Sequence, residues 1–210
     1  MLELILVRHG ETTLNREKMY RGLMDVPLSE TGLRQAELLA DCLKREEIAV
    51  MYSSPLRRAV QTAEPLANGL GIEAVTIANL TDMDFGEWQG RTVAEVNKYY
   101  PELYRDWRDT PEQVRITGGE SLDDVTSRVI PFLEDAVVRC GEGKMVIVSH
   151  RVVLKVLICH LMRLNNTSFW NFKLDTAGIT RFRIEGGRAV LTSFNDTAHL
   201  DGLGASLSDF

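Results

Sequence analysis

Two apolar runs of the same design most constrain how this chain can fold. Leu4-Ile5-Leu6-Val7 ends in Arg8-His9-Gly10, and Met145-Val146-Ile147-Val148 ends in Ser149-His150-Arg151. A short continuous run of β-branched and aliphatic residues describes a strand buried on both faces, as in a parallel sheet covered by helices. Polar residues at the carboxyl ends of such strands face the crevice where open α/β sheets bind their ligands. The chain therefore carries an arginine and two histidines at positions suited to chemistry.

The segments between these runs fit the same plan. Residues 3–8 read as the first strand. Ser29 is a candidate N-cap for ETGLRQAELLADCLKREE, in which apolar residues recur near helical spacing. A second strand is expected at 48–52. A helix with Pro55 in its first turn and Gly69 or Gly71 at its end follows, then a third strand, GIEAVTIANL. Residues 82–120, rich in Trp, Tyr, Pro and Gly, follow no single period and read as a lid of short helices and loops. Ser121 and Asp124 form a capping-box pattern opening a helix in which Pro131 should introduce a kink. RVVLKVLICHLMRL reads as a buried helix, and strands at 179–184 and 189–194 join through Gly186-Gly187.

Strands alternating with helices predict an α/β fold: a three-layer sandwich with a mostly parallel central sheet, helices on both faces and a small helical and loop lid. One domain over residues 1–200 is expected, with the lid at about 82–120 and a loosely held tail at 201–210.

Composition excludes some functions. A net charge of −6 over 210 residues argues against general nucleic-acid binding. No apolar run reaches the length of a membrane span. The three cysteines, Cys42, Cys140 and Cys159, show no paired spacing, and the N-terminus lacks a signal-peptide pattern. A soluble, cytoplasmic protein is expected. The four histidines lack the tight spacing of a metal motif, so no metal ligand set is read here.

If the strands ending near residues 8, 53 and 149 are neighbours, Arg8-His9, Arg57-Arg58 and His150-Arg151 meet around one spot. Guanidinium groups and imidazoles gathered there would suit a tetrahedral, multiply charged anion such as a phosphoryl group. Read singly, each has a plainer meaning: Arg57-Arg58 as a solvated helix face, Glu11 and Asp25 as caps or loop anchors, and His160 and His199 as structural residues. His199 is also placed to line a pocket rim.

The ordered segments LVRHGET, RGLMDVPLSETGLRQAELLA, SSPLRRAVQTA, DMDFGEWQGRT, GGESLDDV and VIVSHRV resemble the histidine phosphatase superfamily, the phosphoglycerate-mutase-like fold, over residues 3–199. The resemblance implies that His9 is a nucleophile that becomes phosphohistidine. It implies that Arg8, Asn15, Arg58 and His150 hold the phosphoryl oxygens, with His150 among the catalytic groups, and leaves Arg57 on the surface. Asp82 stands where relatives usually carry the glutamate that acts as general acid, one methylene shorter, and Asp84 and Glu87 are alternatives. Arg21 and Arg151 replace a glutamine and a small residue usual in relatives; either they meet a second anionic group of the substrate or they form ion pairs and point to solvent.

The lid and SFWNFKLDTAGIT are similar to those of metal-independent phosphoserine phosphatases. The function implied is a phosphomonoesterase needing no cofactor, acting on a small phosphate ester and favouring one that carries a carboxylate. A phosphoglycerate mutase, an α-ribazole-5′-phosphate phosphatase and a catalytically weak binder of phosphorylated ligands are the alternatives. The partner expected is that small ester, with no nucleic acid and no membrane, and a homodimer is an assembly the chain could form.

Overall fold

The computed structural model describes residues 1–203. Six strands form one sheet, in chain order β1 (Leu2–Arg8), β2 (Ile48–Ser53), β3 (Ala74–Thr76), β4 (Gly143–Ser149), β5 (Ile179–Glu185) and β6 (Arg188–Asp196). Across the sheet the order is β3-β2-β4-β1-β5-β6. The first four lie parallel, and β5 and β6 add an antiparallel edge turned at Gly186-Gly187. The α/β class and the mostly parallel sheet are as the sequence indicates.

Alternation within the apolar runs explains why they are continuous. Leu2, Leu4 and Leu6 of β1, with Met145 and Ile147 of β4, enter one core. Ile5 and Val7, with Val146 and Val148, enter a second core on the opposite face. Helices α2 (Glu30–Leu43) and α3 (Arg57–Leu70) cover the second core, supplying Leu39, Leu43, Ala63 and Leu66. Helices α6 (Leu122–Cys140) and α7 (Arg151–Leu161) cover the first with Val125, Val129, Leu133, Val153, Leu154 and Leu157. A one-turn helix α1 (Thr13–Arg16) follows β1. Residues 82–120 hold α4 (Val93–Tyr99), α5 (Pro101–Asp109) and short 3₁₀ turns, anchored by Trp88 and Trp107 in the first core.

Ser29 caps α2 by accepting from the Gly32 N–H, and Ser121 with Asp124 forms the expected capping box of α6. Pro131 lies inside α6, which continues past it to Cys140. Two boundaries differ from expectation. Helix α3 begins at Arg57, so Pro55 lies before its Leu56 N-cap. The start is set by side chains outside the helix, because Asp25 Oδ1 accepts from the Arg57 N–H at 2.7 Å and Ser54 Oγ from the Leu56 N–H at 3.3 Å. The third strand shrinks to Ala74–Thr76, an edge strand with β2 alone as partner, and Ala78–Leu80 turns into a 3₁₀ helix. The expected loose tail falls mostly on residues 204–210, outside the described residues. No helix among the described residues is long and apolar enough to cross a membrane.

Candidate active site

Strand order brings the polar ends together. Arg8 at the end of β1 pairs in register with Ser149 at the end of β4, and Ser53 of β2 pairs with Val148. His9, Ser54 and His150, each next in the chain after its strand, therefore emerge side by side. The His9 and His150 rings lie 5.2 Å apart, and both are fully buried.

The backbone carrying His9 is held from both neighbouring helices. The Gly10 N–H donates to Thr62 Oγ1 of α3 at 2.9 Å, and the Glu11 N–H donates to Gln35 Oε1 of α2 at 2.8 Å. Gln35 continues to Thr176 Oγ1 at 3.1 Å. A Cβ on Gly32 would come within 2.0 Å of the Glu11 carbonyl oxygen, so only glycine lets α2 start this close to the loop. Glu11 anchors the loop as expected, accepting from Ser29 Oγ at 2.7 Å and pairing with Arg16 at 3.2 Å.

His9 Nδ1 lies 2.7 Å from its neighbour's carbonyl, Gly10 O, which requires the proton on Nδ1. Nε2 is buried and makes no hydrogen bond with the described residues, so its lone pair is uncommitted among them. Burial, followed by the charges of Arg58, Arg8 and Arg21, holds the ring's pKa well below its ordinary value and keeps it neutral, against a smaller opposing effect of Gly10. His150 has the same bias, from burial first and then Arg58, His9, Arg21 and Arg8. Its Nδ1 accepts from Arg58 Nε at 3.2 Å, leaving the proton on Nε2 to donate to Ser54 Oγ at 2.7 Å.

Arg58 is the hub of the site. Its Nη2 donates to Asp82 Oδ2 at 3.1 Å and Gly22 O at 2.9 Å, and its Nη1 donates to Met24 O at 2.8 Å. Burial brings this guanidinium down to a pKa of about 10, with Asp82 acting in the opposite direction. Arg57, its chain neighbour, is exposed. Arg8 is buried, and its Nη1 donates to Leu174 O at 2.7 Å. Asn15 Oδ1 accepts from both the Thr12 N–H and Thr12 Oγ1 at 2.8 Å, which commits the carboxamide oxygen within the loop and leaves Nδ2 as the donor end.

Asp82 is buried, with Oδ1 accepting from the Met83 N–H at 2.9 Å and Oδ2 lying 3.7 Å from His150 Nδ1. Asp84 closes its own turn on the Gly86 N–H at 2.8 Å. The two arginines that set the sequence apart diverge. Arg21 is buried and acts electrostatically on His9, His150 and Arg58. Arg151, also buried, instead acts on Tyr20 and lies 6.0 Å from the Trp170 ring.

His199 bonds to the backbone of Ala177, whose N–H donates to Arg8 O at 3.0 Å and His9 O at 3.2 Å. It supports the loop behind the pocket. Sequence reasoning missed Ser54, Thr62, Gln35 and the Leu174 carbonyl. Ser54 stood in SSPLRR, the motif that supplied Arg58, and its place after β2 was the available signal.

The profile of the Histidine phosphatase superfamily (branch 1) matches residues 4–197. Phosphoserine phosphatase 1 of Hydrogenobacter thermophilus is 40% identical over 200 residues, covering 95% of each chain. Among solved structures, Bacillus stearothermophilus YhfR superposes with a TM-score of 0.90 at 30% identity, covering 96% of this chain and 100% of that one. A phosphoserine phosphatase mutant from Entamoeba histolytica, in complex with phosphoserine, superposes with a TM-score of 0.86 at 32% identity over 95% of this chain and 100% of that one. The chain belongs to the histidine phosphatase superfamily, branch 1.

Proposed function

We propose that the protein is a phosphomonoesterase that hydrolyses a small phosphate ester through a phosphohistidine on His9. The observation that carries this reading is the state of His9: a neutral, buried ring, tied at Nδ1 and open at Nε2, beside three buried arginines. Nε2 attacks phosphorus, the P–O ester bond breaks, and the leaving oxygen takes a proton from the Asp82 carboxyl. Water then attacks the phosphohistidine, Asp82 takes its proton, and inorganic phosphate leaves with His9 regenerated. Arg8, Arg58, Arg21 and Asn15 Nδ2 donate to the oxygens, with His150 beside them orienting Arg58, so that fixed donors stabilise charge in a loose transition state.

Asp82 pairs with Arg58 in this structure. A phosphoryl dianion competes for that guanidinium and loosens its hold on the carboxyl. Asp82 is favoured over Asp84 and Glu87 because it alone of the three is in contact with Arg58 and near His150.

The substrate favoured is an ester that also bears a carboxylate, phosphoserine among them, supported by the phosphoserine phosphatases among the relatives. A cytoplasmic location belongs to the same proposal, supported by three free thiols. The test is phosphate release from an aryl phosphate, O-phosphoserine and 3-phosphoglycerate, with an acid-quench search for labelled phosphohistidine. Wild type should release phosphate and carry the label, while His9→Ala should do neither. Isomerisation of 3-phosphoglycerate without phosphate release would identify a mutase, and equal inertness of wild type and His9→Ala would leave a binding protein.

A further inference from the structure

The segment that carries Asp82 has little regular structure of its own. After β3 the chain turns through the 3₁₀ helix Ala78–Leu80 and leaves it at Thr81. Residues 81–84 belong to no helix or strand, so no ladder of backbone hydrogen bonds fixes them. Four consecutive carbonyls, from Asn79 to Asp82, are instead taken by side chains. Arg128 of α6 donates from Nη1 to Asn79 O at 2.6 Å and Thr81 O at 2.8 Å, and from Nη2 to Asp82 O at 3.1 Å. Ser149 Oγ donates to Leu80 O at 2.8 Å. Asn79 answers the contact, its Nδ2 donating to Arg128 O at 2.7 Å.

The rest of the Arg128 fork is committed to Glu120. Nε donates to Glu120 Oε1 at 2.8 Å and Nη2 to Glu120 Oε2 at 3.0 Å. A guanidinium carries five N–H groups, and these contacts occupy all of them. Glu120 holds the other side of Asp82 in turn. Its Oε2 accepts from the Asp84 N–H at 2.9 Å, and its own N–H donates to Asp84 O at 2.8 Å. A Cβ on Gly119 would come within 2.4 Å of Asp84 O, so glycine at 119 is what allows this approach. The Arg128 and Glu120 side chains are only 22% and 23% exposed, unlike an ordinary surface ion pair.

Aspartate has a single carbon between its backbone and its carboxyl, so the carboxyl goes where the backbone goes. The side chain of Asp82 is tied at Oδ1 to the Met83 N–H and at Oδ2 to Arg58. Its backbone is tied by Arg128. A general acid has to stand within hydrogen-bond reach of the oxygen it protonates.

We propose that Arg128, paired with Glu120, is a positioning residue that fixes the backbone around Asp82 and so aims its carboxyl at the leaving oxygen. The assignment rests on the reading of Asp82 as the proton donor of a phosphomonoesterase. It gives the GGESLDDV segment a part in the chemistry, exerted through Asp82.

The experiment measures kcat and KM for O-phosphoserine and 4-nitrophenyl phosphate in wild type, Arg128→Lys, Glu120→Gln and Asp82→Asn, and in Arg128→Lys combined with Asp82→Asn. Lysine keeps the charge at 128, but its donors sit on one nitrogen and cannot span the same acceptors. Arg128→Lys and Glu120→Gln should each lower kcat for O-phosphoserine by about 10–10²-fold, the scale of a misplaced catalytic group, with little change in KM. The aryl ester, whose leaving group scarcely needs a proton, should lose far less. In the Asp82→Asn background Arg128→Lys should cost the alkyl ester nothing further, because the donor it positions is gone.

Loss of folded protein lowers both rates by the same factor, so a merely structural role cannot produce the difference between esters. Glu120→Gln keeps the shape of the side chain and gives the reading even if Arg128→Lys does not fold. If Asp82→Asn selectively slows the alkyl ester while Arg128→Lys and Glu120→Gln slow both esters equally or neither, the positioning role is overturned and the phosphatase reading stands. If Asp82→Asn slows both esters equally, Asp82 is not the proton donor and the positioning role falls with it. Hydrolysis of neither ester by wild type would overturn the phosphatase reading and this one together.

Discussion

Arg58 Nη2 lies 3.1 Å from Asp82 Oδ2, while Nε of the same guanidinium donates to His150 Nδ1 at 3.2 Å. One arginine thus holds both the carboxyl proposed as the proton donor and the second histidine. Asp82 is one methylene shorter than the glutamate usual in relatives, and the contact shows that the shorter side chain still reaches the site. If it is the general acid, the cost of removing it scales with how badly the leaving group needs a proton. Asp82→Asn should slow an alkyl phosphate such as O-phosphoserine by about 10²–10⁴-fold, the usual contribution of a positioned acid, and an aryl phosphate far less. Asp82→Glu should retain much of the activity. Equal losses on both leaving groups would assign the proton to another residue.

The pH dependence follows from the two buried histidines. Burial, followed by arginine charge, holds His9 well below its ordinary value of 6.5, and burial does the same for His150. In the unfolded chain both take up protons as pH falls through 6.5, while in the folded chain they stay neutral. Their contribution to stability is therefore intact above 6.5 and is lost as pH falls below it, at up to roughly 1.4 kcal/mol per histidine per pH unit. Urea unfolding at pH 7.5 and 5.0 should show this loss, reduced in His9→Asn. The acid limb of kcat/KM assigned to His9 should fall below 6.5, since the nucleophile remains neutral there. A limb at 6.5, with no difference between wild type and His9→Asn in acid sensitivity, would contradict the burial argument.

Ser54 fixes the tautomer of His150 by accepting from Nε2 at 2.7 Å. In Ser54→Ala the ring keeps its bond from Arg58 and loses the other anchor, so its donor is free to reorient. An expected fall in kcat/KM of about tenfold corresponds to one lost buried hydrogen bond, with unfolding stability lowered by about 1–3 kcal/mol. Stability reduced with kcat/KM unchanged would restrict Ser54 to a structural role.

The parts of the site legible in the sequence are those on regular elements. Arg8-His9 and Ser149-His150 follow unbroken apolar runs, and a parallel sheet carries such ends to one edge. Arg58 was legible through SSPLRR, although its hydrogen bonds to Gly22 O and Met24 O depend on a loop without periodicity. Backbone acceptors such as Leu174 O have no signature, since any residue provides a carbonyl. The short third strand was overextended because β-branched residues on a sheet edge, with one partner, need not all pair.

The contact between Gly10 and Thr62 tests whether the loop itself must be rigid. Thr62 Oγ1 accepts from the Gly10 N–H at 2.9 Å and donates to the Arg58 carbonyl at 2.6 Å, so one hydroxyl joins the residue that fixes the His9 tautomer to the helix carrying Arg58. Thr62→Val keeps shape and volume and removes both bonds, leaving a buried N–H unsatisfied. The expected destabilisation is about 1–3 kcal/mol by urea unfolding. The Gly10 carbonyl that holds Nδ1 would then lose its support, so kcat should fall as well, while Thr62→Ser should restore both properties. Stability lost without any change in kcat would show that the Gly10–His9 contact keeps the nucleophile aligned unaided, and that Thr62 supports the fold alone.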